Sequence, residues 1–192
     1  MRAATAIIAV LVSCAPAWVA AQAARPSAPE TFNATANAKN ASGAISGTLE
    51  IRVSRYTPDF DRKTVEEALR LGGYPRFLTA LRSAPDVGHV VLGGGQPYVI
   101  RYARETVEGG GRIIVLVTDR PVLFLGSSRA DAKPRAGFEV ALLRLQVDAK
   151  GAGSGTMAAA ARVRPDGDGG VLLDDYAETP IELANVTRKP SS

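Results

Sequence analysis

From Thr48 onward, short segments in which apolar and polar residues alternate dominate the chain. Leu49, Ile51 and Val53 alternate with polar residues, which is the period-two pattern of a strand buried on one face. Further segments of this type follow Pro85 and are separated by Gly- and Asp-rich turns: 90–92, 98–107, 112–118, 122–125, 138–148, 155–164, 171–176 and 181–187. The pattern predicts about nine strands.

Three of these segments depart from simple alternation. Residues 113–117 have no polar positions, which predicts a central strand buried on both faces. Within 138–148 the apolar phase shifts near Leu142, so we expect a bulge or a bend there. The alanines of 156–163 favour a helix, but the turn-rich sequences on both sides lie at hairpin spacing, and we interpret this segment as a strand.

A helical pattern interrupts the strands after the first of them. Val65 and Leu69 recur at helical spacing, and Gly72–Gly73 ends that helix. A second short helix begins near Pro75 and runs to about Ser83. Short turns favour antiparallel neighbours. We therefore expect a mostly β, α+β fold: a curved antiparallel meander sheet or incomplete barrel of about eight or nine strands, with a short helical hairpin inserted after the first strand.

The first 23 residues have the organisation of a secretory signal peptide. Arg2 precedes an apolar run over 3–12, and Ala21–Gln22–Ala23 is a small-x-small cleavage site. We expect a secreted or periplasmic protein with no transmembrane segment in the mature chain, because no other apolar run approaches about 20 residues. The sequence around Cys14 resembles a lipobox, so an alternative is a lipoprotein anchored through Cys14.

The remaining chain divides into a leader, one domain and a short tail. Residues 24–43 contain prolines and many small polar residues without apolar periodicity, and we expect a disordered leader. Residues 44–188 form the predicted single β-rich domain, and 189–192 a disordered tail. The bias towards Ala, Gly and Arg is typical of a GC-rich bacterial genome.

Composition removes several classes of function. Cleavage of the signal removes the chain's single cysteine, so core burial must hold the fold together without disulfides. The single histidine, His89, has no partner with which to form a zinc site of three or four ligands. The formal charge of +4 and the scarcity of aromatic residues disfavour nucleic-acid binding.

The motifs that suggest chemistry fail on their spacing. Gly93–Gly95 lead into a strand instead of a helix, so they predict a turn and not a phosphate loop. Residues 165–175 lack the ligands and the glycine that a calcium loop needs, and we interpret them as a hairpin turn. Serine-hydrolase signatures are absent. The sequence therefore assigns no catalytic residue, no metal ligand and no cofactor.

Basic and acidic residues near strand ends remain as candidate contacts. Arg120 follows the predicted central strand and could bind a carboxylate or phosphate, or could pair with Asp119. Several basic residues could form one surface if the strands align them: Arg101, Arg104, Arg112, Arg129, Lys133, Arg135, Arg162 and Arg164. We expect ordinary outward-facing arginines instead.

Two function hypotheses follow. The first is a non-catalytic module that binds a small apolar or anionic ligand or an envelope component. The alternative is a secreted enzyme that uses carboxylates and arginine, such as a lyase or glycosidase. The enzyme needs two carboxylates in one cleft, and the candidates are Asp119, Asp174, Asp175 and Glu178.

Overall fold

The computed structural model describes residues 29–40, 43–123, 135–167 and 169–189. The predicted signal peptide, with Cys14, lies outside the described residues. The elements are β1 (Glu30–Asn40), β2 (Gly43–Val53), α1 (Asp59–Ser83), β3 (Gly88–Leu92), β4 (Tyr98–Glu108), β5 (Gly111–Thr118), β6 (Val140–Val147), β7 (Ala152–Pro165), β8 (Val171–Tyr176) and β9 (Ile181–Lys189).

Eight of the strands form a closed antiparallel barrel. The ring contains β1 to β7 in chain order, and each of these strands pairs with its neighbour. The last strand, β9, closes the ring because it pairs with β7 on one side and with β1 on the other. The first half of β7 lies between β6 and β9, whereas its second half pairs with β8, which lies outside the closed ring. The predicted mostly β fold with a helical insert is confirmed, and the barrel closes.

The disordered leader predicted for 24–43 is wrong over 30–40, where β1 completes the barrel, and at Gly43, where β2 begins. Phe32, Ala34 and Ala36 face the interior, and the polar residues between them face outward. Alanine is too weakly apolar for this alternation to stand out in a polar segment. Because β1 precedes the first predicted strand, the helical insert follows the second strand of the fold. At the other end, β9 extends to Lys189, one residue into the predicted tail.

The core has two parts, separated by the barrel wall. Inward-facing residues such as Ile114 and Leu143 fill the barrel, whereas Val117 and Leu142 pack on its outer side with α1. Both faces of the second half of β5 and of the first half of β6 are therefore covered. This explains why residues 113–117 lack polar positions and why the apolar phase shifts near Leu142.

The irregularity expected near Leu142 is confirmed, although the extra residue belongs to the partner strand. Val140 pairs with Ala161 and Leu142 with Ala158, so β7 advances three residues while β6 advances two. Such a bulge bends the strand. It lies where β7 turns away from the ring towards β8.

The predicted helical hairpin is a single element, α1, with a kink. Gly73 has φ 67° and ψ −169°, a conformation that glycine adopts readily, and Pro75 follows in the next turn. Val65, Leu69, Phe77 and Leu81 are buried against the barrel wall. No helix among the described residues is long and apolar enough to cross a membrane.

Small residues in β7 allow α1 to lie close to the barrel. Ala158 and Ala161 are buried in the outer core beneath the helix. The interpretation of 156–163 as a strand is confirmed, because this segment lies within β7. The strand predicted at 122–125 is not found at Val122 and Leu123, which are in irregular structure, and its other two residues lie outside the described part.

Candidate functional site

The two glycine-rich motifs are turns. Gly93 and Gly94 have φ of 58° and 73° in the connection from β3 to β4, a conformation that favours glycine. Asp166 and Gly170 close the β7–β8 hairpin through a backbone hydrogen bond of 3.1 Å. Neither loop leads into a helix. Among the described residues, no group of three or more His, Cys, Asp or Glu side chains could hold a metal ion.

The candidate carboxylates are divided between different surroundings. Asp119 lies beside Arg101, with 3.8 Å between the Oδ2 and Nη2 atoms. Asp174 and Asp175 are exposed on β8, and Glu178 is exposed after it. Asp174 lines a cleft, which is described below.

Arg120 is engaged locally, and not by Asp119. Its Nη2 donates to the carbonyl oxygen of Pro97 at 3.0 Å. Its guanidinium also lies 5.0 Å from the centre of the Tyr98 ring. These contacts fix the end of β5 against the beginning of β4, which gives Arg120 a structural role.

The basic residues do not form one surface. Arg112 is buried inside the barrel, and Arg101 and Arg104 pair with acidic side chains. Arg162 and Arg164 are exposed on β7. Arg129 and Lys133 lie outside the described residues.

An ion cluster closes the end of the barrel at which β1 begins, called here the barrel base. Arg112 binds both carboxylate oxygens of Glu30, at 3.0 and 2.9 Å, and Glu105 at 3.1 Å. The Tyr56 hydroxyl donates to Glu30 at 3.0 Å, and Arg188 lies 3.5 Å from the same carboxylate. Both oxygens of the Glu30 carboxylate thus accept hydrogen bonds from the protein.

Burial and charge perturb three pKa values in this cluster. Burial of Glu30 opposes its ionisation, but the hydrogen bonds and the charge of Arg112 outweigh that effect and lower the pKa of Glu30. The hydrogen bond to Glu30 raises the pKa of Arg112. Burial, with the neighbouring carboxylates, raises the pKa of Tyr56. The cluster is therefore a satisfied ion network that stabilises the base, with no free group for a ligand.

A second polar group lies between α1 and the outer wall. The hydroxyl of the fully buried Tyr102 donates to Glu66 at 2.7 Å, and Arg62 and Arg104 lie 3.3 and 3.7 Å from the Glu66 carboxylate. Burial, followed by the hydrogen bond to Glu66, raises the pKa of Tyr102. This group holds the first half of α1 to β4.

The barrel interior has large aliphatic and aromatic side chains where a ligand would lie. Phe32, Ile51, Leu116, Leu143 and Met157 are fully buried within it. Close packing of this kind is that of an ordinary protein core. The barrel interior is therefore occupied by the protein's own side chains.

A cleft of about 600 Å³ opens on the outer side of the barrel, between the second half of α1, the segment before β6, and the β7 and β8 strands. We call it the outer cleft. It lies within the usual range of small-molecule sites, about 300–1,000 Å³. The residues that line it are Tyr74, Pro75, Leu78, Ala136, Gly137, Glu139, Arg162, Val163 and Asp174.

Apolar and charged groups meet in the outer cleft. Pro75, Leu78 and Val163 supply apolar surface, while Glu139, Arg162 and Asp174 supply charge. The Oε2 atom of Glu139 is buried and has no hydrogen-bond partner among the described residues. An unpaired buried acceptor costs about 1–3 kcal/mol. A ligand with a hydrogen-bond donor would remove that cost.

The backbone around Glu139 is held in place by Tyr74. The Tyr74 hydroxyl accepts the Glu139 N–H at 2.9 Å and donates to the carbonyl oxygen of Ala161 at 3.4 Å. Burial raises the pKa of Tyr74 and keeps its hydroxyl protonated. One side chain of α1 thereby ties β7 to the segment that carries Glu139.

Arg162 is positioned by two neighbours in the segment before β6. Its guanidinium lies 5.4 Å from the centre of the Phe138 ring. Its Nη2 atom lies only 2.6 Å from the point where a Cβ on Gly137 would be, and Gly137 has φ 89°. A side chain at this position would strain the backbone and displace the guanidinium group at the flexible end of Arg162.

Asp174 and Arg162 are candidates from the sequence, whereas Glu139 and Tyr74 are not. Glu139 looks like the polar position of an alternating strand, and Tyr74 like a helix-surface aromatic. Tyr74 follows the kink at Gly73, and its hydroxyl contacts the backbone of the segment before β6. The distance between Tyr74 and Glu139 along the chain, 65 residues, leaves no local signal.

Comparison with known proteins gave no match: no family model fits this sequence, and no curated protein or solved structure is similar to it. The geometry of the outer cleft is therefore the basis on which a function is proposed.

Proposed function

We propose that this protein is an exported, non-catalytic binding module that holds a small ligand or an envelope component in the outer cleft. The observation that carries the proposal is the buried, unpartnered Oε2 atom of Glu139 in a cleft that also has apolar walls. Sites for small molecules combine apolar walls with a few placed polar groups. The signal-like sequence at 1–23 supports export.

The location of the cleft supports binding at the outer surface and not inside the barrel. The interior is filled by side chains, so a ligand there would have to displace core residues such as Leu143 and Met157. The outer cleft needs no such displacement. Its walls come from α1, from β7 and β8, and from the turn segment that precedes β6.

Mass spectrometry of the exported protein tests the proposal. The full chain is exported by a bacterial host with its own signal, and its mass is recorded under native and denaturing conditions. We expect the denatured mass to be that of a chain that begins at Ala24. The native mass should be larger by the mass of a retained ligand. A lipid adduct on Cys14 would instead support the lipoprotein alternative.

A pair of helix variants assigns the added mass to the cleft. Leu78→Arg places a long charged side chain in the outer cleft. Leu71→Arg places the same side chain on the same helix, but at a residue that does not line the cleft and is 67% exposed. We expect the added mass to persist in Leu71→Arg and to disappear in Leu78→Arg, with both variants folded by far-UV circular dichroism. Equal native and denatured masses in all three proteins would contradict the proposal.

One observation favours the enzyme alternative. Glu139 and Asp174 are two carboxylates that line the same cleft, as general acid and base catalysis requires. A lyase or glycosidase would convert its substrate, so a mixture of oligosaccharides or uronides incubated with the protein would change composition. Loss of that turnover in Glu139→Gln, with retention in Glu178→Gln, would establish the enzyme and refute the non-catalytic module.

A further inference from the structure

We infer that the ligand of the outer cleft is a zwitterion with an apolar side chain, that is, an apolar amino acid or a short apolar peptide. This inference rests on the proposed function, because it names the class of ligand for the same site. It follows from three properties of the cleft: a buried carboxylate oxygen without a hydrogen-bond partner, a guanidinium group without an ion-pair partner among the described residues, and an apolar surface beside them.

The first property is the position of negative charge. The Oε2 atom of Glu139 is buried without a partner, and Asp174 adds a second carboxylate to the same cleft. Neither forms an ion pair with any of the described residues. A ligand ammonium group carries three N–H donors and a positive charge. It would therefore donate a hydrogen bond to the Oε2 atom of Glu139 and also balance the negative charge of the two carboxylates.

The second property is a free positive charge. Arg162 lines the cleft, and its guanidinium contacts the Phe138 ring but forms no ion pair with a described residue. Glu139 and Arg162 thus lie in one cleft without neutralising each other. A ligand carboxylate would be the natural partner for the guanidinium, because the two groups form paired charge-assisted hydrogen bonds.

The third property is the apolar surface between these charges. Pro75, Leu78 and Val163 come from the helix and from β7, and they would cover an aliphatic side chain. A purely anionic ligand would leave Glu139 unpaired, and a purely apolar ligand would desolvate both charges without replacing their water. A free amino acid or short peptide with an aliphatic side chain meets all three conditions.

Calorimetric titration of the full exported chain with three related dipeptides tests the inference. The probes are leucyl-leucine, its N-acetyl derivative and its C-terminal amide. Acetylation removes the ammonium group, and amidation removes the carboxylate. We expect leucyl-leucine to bind, and each blocked form to bind about tenfold more weakly or worse, as for loss of one hydrogen-bonded charge.

Two variants connect each end of the dipeptide to its residue. Glu139→Gln should weaken leucyl-leucine about tenfold and abolish the discrimination against the N-acetyl form. Arg162→Gln should abolish the discrimination against the amide. The matched controls, Glu178→Gln and Arg164→Gln, change exposed residues outside the cleft lining and should retain both discriminations.

The outcomes separate this inference from the proposed function. If the native mass contains a ligand but leucyl-leucine does not bind, the ligand class is wrong and the binding module stands. Equal affinity for all three dipeptides also refutes the ligand class. If the native mass contains no ligand and no dipeptide binds, both proposals fail.

Discussion

The most demanding test of the fold is the removal of one charge from the ion cluster at the barrel base. Arg112→Met preserves most of the aliphatic stem of Arg112 but removes both hydrogen bonds to Glu30. The Glu30 side chain is only 3% exposed, so water cannot replace these bonds. Tyr56 and the more exposed Arg188 would be its remaining partners.

The expected loss is large compared with the stability of a single domain. Breaking a buried ion pair by removing one partner costs about 3–5 kcal/mol, whereas domains are stable by about 5–15 kcal/mol. At roughly 2–4 °C per kcal/mol for a domain of this size, the melting temperature should fall by about 10 °C. Glu30 is the first residue of β1, so the loss should weaken closure of the barrel.

Urea unfolding followed by far-UV circular dichroism measures this loss. Arg144→Met is the matched control, because Arg144 is exposed on the neighbouring strand β6 and should change stability by less than about 0.5 kcal/mol. Adding Glu30→Gln to Arg112→Met should recover part of the loss, since a neutral amide costs less to bury than a lone carboxylate. If Arg112→Met and Arg144→Met unfold at the same urea concentration, the base cluster is solvated and the reasoning is wrong.

Three further predictions concern pH, the helix contact and the cleft. The folded-state pKa of Glu30 is lowered from its ordinary value of 4.5, so ionised Glu30 should stabilise the fold above pH 4.5. This stabilisation should be lost as the pH falls through the folded-state pKa. In urea unfolding at decreasing pH, the unfolding free energies of wild type and Glu30→Gln should therefore converge. A divergence towards low pH would contradict this sign. Tyr102→Phe should lower the unfolding free energy by about 1–2 kcal/mol in urea melts, because Glu66 loses a buried hydrogen bond, and an unchanged midpoint would show that this bond contributes nothing. Gly137→Ala and Gly110→Ala both strain a backbone of positive φ, but only the former displaces Arg162, so only it should weaken leucyl-leucine binding in calorimetry; equal affinities would remove Arg162 from the site.

The sequence by itself determined the local elements and the fold class. Alternation over Leu49–Val53, the helical spacing of Val65 and Leu69, and the glycine-rich turns each depend on neighbours in the chain, and the structure confirms them. The same reasoning failed at β1, because Ala34 and Ala36 become an apolar face only when Leu49, Leu183 and the rest of the interior surround them.

Only the tertiary structure decided how these elements form a barrel and a site. Whether β9 returns to β1 depends on the sum of strand twist and pairing around the ring, which no short pattern contains. Likewise, Glu30 meets Arg112 across 82 residues, and Tyr74 meets Glu139 across 65. Polarity and spacing identify which residues carry charge, but burial and distance decide which charges are paired within the protein and which remain available for a ligand.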